Sequence, residues 1–250
     1  VTRVWTPAAL AALTVDRGFR LRGGELTRLE SLTDGAFALA LTFLVIASNE
    51  VPNSFDALLA AFKQVPAFAA SFGILLLFWV PHVRWSRRYG MDDGPAIALT
   101  ALTIFVVLVF VFPLKVVLSA FLSQISSGAL PSLARLQSMD QLSAIFIAYG
   151  CGFTSLSFSL FGLYRLALRR ADALGLNALE RFDTQADAGS HFISVLIGLF
   201  ATGIAVVLPP QLSPLAGYSY FAIAIERPLY WRRMRRRRAA LVESLETAAS

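Results

Sequence analysis

The sequence predicts an all-α, polytopic membrane protein with six transmembrane helices and both N- and C-termini cytoplasmic. Three observations carry this. Hydrophobic residues make up 56% of the 250 residues and charged residues only 15%, against about 25% charge in soluble domains, and the mean hydropathy is +0.64. The apolar residues gather in six runs, to be compared with the roughly 20 helical residues that cross a bilayer core about 30 Å thick. The cations alternate between connections: nineteen of the 22 basic residues fall in segments that a six-span chain with cytoplasmic termini places on one side, as the positive-inside rule requires.

In chain order, residues 1–32 form a cytoplasmic segment with Arg3, Arg17, Arg20, Arg22 and Arg28. Its apolar patch at 8–15 is too short for a span and lacks a convincing small-residue cleavage site, so an interfacial or unstructured leader is expected. The six-helix domain occupies 33–227, with spans at 33–50, 66–84, 95–121, 142–168, 190–208 and 213–227. The third is the cleanest; Lys115, its only charge, lies near the far end and is expected to snorkel to the headgroups. The sixth is the weakest, preceded by Pro209, Pro210 and Pro214.

The cytoplasmic connections carry Arg84, Arg87 and Arg88, then Arg165, Arg169, Arg170 and Arg181; Arg227 precedes a basic cytoplasmic tail at 228–250. Lys63, Lys115 and Arg135 lie opposite, where 123–141 is the longest loop. The tail arginines from Arg232 to Arg238 are drawn to anionic lipids. A pI near 10 does not indicate nucleic acid here, because the arginines sit in short clusters between apolar runs. The single cysteine, Cys151, excludes an intrachain disulfide and a Cys-rich metal site.

Asp34 stands where the first apolar run begins, six residues after Arg28. Six residues is about 120° from the starting face of a helix, so the two do not stack as an i, i+4 pair. They are either a topogenic arginine and an interfacial capping aspartate, or partners through a neighbouring helix. Trp79 and His82, three apart, share one face of the second span and suit an aromatic belt. His191, at the start of the fifth span, is expected to be interfacial. Ser190, Ser194, Gly198 and Thr202 form a small-residue packing seam, with a similar one at Cys151, Ser155 and Ser159. The run from Tyr149 to Gly152 lies inside an apolar helix and is expected to serve packing. No P-loop, HExxH, GxSxG or dinucleotide fingerprint is present, which argues against an enzyme and implies no cofactor.

The segment from Arg28 to Thr42, RLESLTDGAFALALT, resembles the first-helix signature R-x-x-x-F-S-D of the transmembrane protein 175 potassium channel family, whose bacterial members commonly continue G-x-F-A-I-A-I-T-L-L-V. Trp79 and His82 are similar to the family's W-x-x-H element. Leu32 replaces the usual Phe and Thr33 the usual Ser. The resemblance implies a homotetramer with the first helix of each subunit lining a central pore. It places a hydrophobic constriction at Leu39, Phe43 and Ile46, where isoleucine and leucine are usual at the first two, and makes the Thr42 hydroxyl a candidate for ion selection. It also implies that Arg28, Asp34, Trp79 and His82 form a structural polar network holding the pore helix.

Helical geometry permits the stripe: from Leu39, Phe43 falls at about +40°, Ile46 at about −20° and Thr42 at about −60°. Apolar rings gate by dewetting and hydroxyl rings replace part of an ion's hydration. The same side chains serve equally as a lipid-facing or packing stripe, and Thr42 as a back-bonding hydroxyl. The resulting expectation is a potassium-permeable leak-type channel, bacterial single-repeat in type, in the plasma (inner) membrane. Its partners are potassium and other monovalent cations, membrane lipids and its own copies, with no nucleic acid. A secondary transporter or proton-coupled carrier is the alternative, and it favours mid-membrane acids and paired discontinuous helices.

Overall fold

The computed structural model describes residues 5–46, 53–133 and 138–249, without the side chains of Ile46 and Ala249. A short helix α1 (Pro7–Ala11) leads into a two-stranded hairpin, β1 (Val15–Asp16) and β2 (Phe19–Arg20). The long helices follow: α2 (Arg28–Ile46), α3 (Phe55–Lys63), α4 (Val65–Tyr89), α5 (Gly94–Ile125), α6 (Met139–Arg169) and α7 (Ala178–Val207). A 3-10 turn at Pro210–Leu212 precedes α8 (Pro214–Ser219) and α9 (Phe221–Ala249).

Helix boundaries follow local chemistry. Ser54, Asp93, Ser138 and Asn177 each turn a side-chain oxygen onto a first-turn amide, satisfying donors that have no partner within the helix. Asn177 and Glu180 form a reciprocal capping box. Gly90 ends α4 at φ 57°, where a side chain would also strike the Arg22 carbonyl at 2.9 Å.

Among the described residues, four helical runs are long and apolar enough to cross a membrane: Phe55–Tyr89, Gly94–Ile125, Met139–Arg169 and Ala178–Val207. The last of the six apolar stretches is divided. Its prolines open a 3-10 turn and α8, the chain breaks at Tyr220, and α9 then runs through both the apolar remainder and the arginine cluster as one helix.

Packing between the long helices relies on close fit, because lipid tails are as apolar as the side chains they would replace. The α6–α7 contact is the tightest. A Cβ on Gly150 would lie 2.2 Å from Thr202 Oγ1, and one on Gly198 would lie 2.3 Å from Thr154 Oγ1. The α7 seam is therefore as expected from its spacing. On α6 the partners are Gly150 and Thr154, one residue before the expected seam; Cys151 is exposed, while Ser159 bonds Thr103 on α5 at 2.8 Å. Rings of Phe78, Phe110, Tyr149, Phe153 and Tyr220 join α4, α5 and α6 to the chain at the start of α9.

Two expectations are corrected. Lys115 does not snorkel: it is 2% exposed, and its ammonium donates to the Leu44 carbonyl in the last turn of α2, where a cation complements the helix dipole. His191 does not face lipid or water but is 6% exposed, with its ring stacked on Tyr164 at 5.4 Å. In both cases a neighbouring helix covers a group that sequence position alone assigns to the headgroup layer.

The basic segments converge. Arg22 and Gly23 donate backbone amides to the carbonyls of Arg88 and Arg87 at the end of α4. Arg88 pairs with Asp187 on α7 at 2.7 Å, Arg170 with Asp93 before α5, and Arg238 on α9 with Asp183 on α7 at 2.8 Å. The N-terminal segment, the α4–α5 and α6–α7 connections and α9 thus meet at one end of the bundle.

Candidate functional site

Helix α2 is covered on one side and free on the other. Thr33, Phe37, Ala40 and Leu44 are buried at spacings of three and four, which places them on one face, and that face meets α4 and α5. The opposite arc carries Leu32, Gly35, Leu39 and Thr42, all exposed. With Leu39 at zero, Leu32 lies at about +20°, Gly35 at about −40° and Thr42 at about −60°.

Leu39 is 45% exposed. Thr42 is also exposed, and its hydroxyl donates to the Ala38 carbonyl at 2.9 Å. With its hydrogen committed within the helix, the oxygen remains an acceptor. Phe43 sits at the edge of the free arc, half-buried, its ring stacked on Phe112 of α5 with centroids 6.0 Å apart. The Ile46 side chain, the third expected constriction residue, lies outside the described residues.

Of the four residues expected as a polar network, the structure brings two into direct contact. The Trp79 indole N–H on α4 donates to Asp34 Oδ1 on α2 at 2.8 Å. His82, buried one turn further along α4, shares a hydrogen bond with Thr100 on α5 instead, Nε2 to Oγ1 at 3.2 Å. Arg28 is exposed, and its side chain makes no hydrogen bond or ion pair among the described residues. Its angular offset from Asp34, about 120°, turns it onto the free arc.

Other residues complete the clamp on α2. Glu30 in its first turn is 3% exposed and accepts from Arg87 Nε at 3.1 Å and Ser86 Oγ at 3.3 Å on α4. With Lys115 at the far end, α2 is tied to α4 and α5 at both termini. Charge counting assigns Arg87 and Lys115 to topology and headgroups, and no sequence signal pairs them with α2.

The N-terminal hairpin is held by Glu180, whose side chain is fully buried. It accepts from Arg20 Nη2 at 2.7 Å, Arg22 Nη2 at 2.9 Å and the Arg20 amide at 2.9 Å. Its carboxylate raises the Arg20 guanidinium above its ordinary value, so that group stays charged. The N-x-x-E spacing at Asn177 and Glu180 is a capping-box signal that marks Glu180 as fixed in orientation, though not its two arginines.

A bundle of long apolar helices with the basic residues gathered at one end is the architecture of a multi-pass membrane protein. Residues 28–113 match the sequence model of the endosomal/lysosomal potassium channel TMEM175. A Marivirga tractuosa protein named as a potassium channel is 31% identical over 212 residues, spanning 81% of this chain and 85% of that one. The chain belongs to the TMEM175 potassium channel family.

Solved structures agree. A single-residue variant of the potassium channel MtTMEM175, crystallised with a nanobody fusion, is 27% identical with a TM-score of 0.74, covering 95% of this chain and 100% of that one. A lysosomal potassium-selective channel TMEM175 homolog from Chamaesiphon minutus, 20% identical with a TM-score of 0.56, covers 83% of this chain and 96% of its own; at that identity it speaks to the fold alone.

Proposed function

We propose that this protein is a potassium-permeable leak channel assembled as a homotetramer, with α2 of each subunit lining a central conduit. The observation that carries this is the character of α2's free arc. The exposed faces of α5 and α7 present large apolar side chains such as Phe105, Val109, Leu199 and Phe200, as a lipid-facing surface does. The free arc of α2 instead interleaves Gly35, Ala38 and Thr42 with Leu32 and Leu39. Small and hydroxyl residues let helices approach closely and offer oxygen to an ion.

In this reading Leu39, Phe43 and Ile46 form the hydrophobic constriction, with Phe43 entering from the edge of the arc and braced by Phe112. Thr42 supplies a ring of four acceptor oxygens beside it. Asp34 and Trp79 hold the entrance, with His82 bracing α4 against α5 and Arg28 free for solvent or a neighbouring subunit. The membrane domain spans 33–227: α2 and the divided α8–α9 stretch add two crossings to the four longer ones. Residues 1–32 and 228–250 face the cytoplasm. The convergence of the basic segments at one end supports that orientation, and with bacterial relatives it points to an inner membrane. Potassium and other monovalent cations are the permeating species.

Purified protein reconstituted into liposomes with an outward potassium gradient tests the proposal. Protein-dependent flux that needs no coupled gradient is expected; absence of flux contradicts it, and saturable flux requiring a second ion gradient favours a carrier.

A further inference from the structure

A cavity of about 450 Å³ opens between α4, α7 and α9, away from α2, and nothing in the conduction scheme uses it. Arg84, Arg227 and Trp231 stand at its polar end with Ser190 and His191 in its wall. Among the described residues that line it, the one carboxylate, Asp187, is committed to Arg88 at 2.7 Å and lies 3.7 Å from Arg84. Arg227 makes no ion pair among the described residues; the neighbouring Glu226 attracts it electrostatically but does not line the cavity, so the cavity wall itself carries more positive than negative charge.

The walls change character along α4. Leu77, Val80 and Arg84 share one helical face by their spacing of three and four; Leu77 is 47% and Val80 42% exposed. An open apolar track thus leads from the arginines toward the middle of the bilayer. Arg84 lies about one helical turn inward from Arg88 in the converged basic end, about 6 Å at 1.5 Å per residue, a depth suited to headgroup phosphates.

We propose that this cavity is a binding site for an anionic phospholipid. Arg84 and Arg227 take the phosphodiester in charge-assisted hydrogen bonds, Trp231 covers the glycerol region as interfacial indoles do, and one acyl chain lies along Leu77 and Val80. Charge complementarity and the apolar track together select a lipid over a soluble anion, which has no use for the track.

The test is lipid retention, measured by native mass spectrometry on the intact protein in detergent, titrated with phosphatidylglycerol or phosphatidylcholine. Because it reads bound lipid and not ion flux, it stands or falls apart from the channel proposal. Phosphatidylglycerol is expected to be retained over phosphatidylcholine. Arg227→Gln should weaken its retention about fivefold and the Arg84→Gln, Arg227→Gln pair about thirtyfold, from roughly 1 kcal/mol for each basic residue at a membrane surface. Leu77→Trp, which obstructs the track on an exposed position without touching charge, should weaken retention as well. Lys63→Gln, an exposed cation at the end of α3 that does not line the cavity, should leave it unchanged. Equal retention by wild type and the Arg84, Arg227 pair, equal retention of the two lipids, or displacement of the lipid by millimolar inorganic phosphate would overturn the proposal.

Discussion

Trp79 on α4 donates its indole N–H to Asp34 on α2 at 2.8 Å, pinning the helix that carries the candidate pore stripe to the rest of the bundle. Three residues later His82 turns to Thr100 on α5. One face of α4 therefore holds α2 and α5 in register, and the free arc of α2 is positioned by bonds within the chain.

Trp79→Phe keeps an aromatic ring, though a smaller one, and removes the donor. A hydrogen bond to a carboxylate contributes about 1.5–3 kcal/mol, and the half-exposed setting of both partners places the loss at the lower end. The thermal unfolding midpoint in detergent should fall. Asp34→Asn, which keeps an acceptor oxygen, should cost less than Asp34→Ala; an equal loss would show that the bond does not act as described.

Glu180→Gln leaves Arg22, whose side chain is fully buried, without its counter-charge. Breaking a buried pair from one side costs about 3–5 kcal/mol, here felt mainly by the docked N-terminal hairpin. Trypsin should cut after Arg17, Arg20 or Arg22 faster in the variant than in wild type. An unchanged digestion rate would contradict the docking.

Gly150→Ala drives a methyl into Thr202 Oγ1, 2.2 Å away. Overpacking of this kind costs about 1–3 kcal/mol, read as a lower unfolding midpoint. Adding Thr202→Ala should restore most of the loss, because the clashing oxygen is then gone. Failure of the second substitution to rescue would mean that the helices meet elsewhere.

Phe43→Ala removes a ring at the edge of the free arc and its stack on Phe112. If that ring narrows the conduit, liposome potassium flux should rise. Thr42→Val keeps the shape and removes the acceptor oxygen, and should lower the preference for potassium over sodium. Unchanged flux in an active Phe43→Ala protein would remove that residue from the constriction.

Much of this architecture is legible in the sequence because it rests on local rules. The apolar runs mark α2 and α4 to α7, and the clustered arginines do come together at one end. The Asp34–Trp79 bond follows from resemblance rather than from spacing, since no periodicity links residues 45 apart. What the sequence leaves dark is tertiary. Lys115 reads as a headgroup lysine until α2 is seen to end beside it. His191 reads as interfacial until Tyr164 covers it. Arg20 and Arg22 resemble other topogenic arginines, yet they close on a buried carboxylate about 160 positions away, and only a folded bundle reveals that partner.

Whether the free arc of α2 lines a water-filled path is tested most directly by thiol accessibility. In a Cys151→Ser background, which removes the exposed native thiol, Leu39→Cys is reconstituted into liposomes and treated with a small, positively charged, water-soluble thiol reagent. Modification that abolishes potassium flux, with no loss in the background protein, is the predicted result. A position that stays unmodified, or that is modified while flux continues undiminished, would contradict the placement of α2 around a conduit.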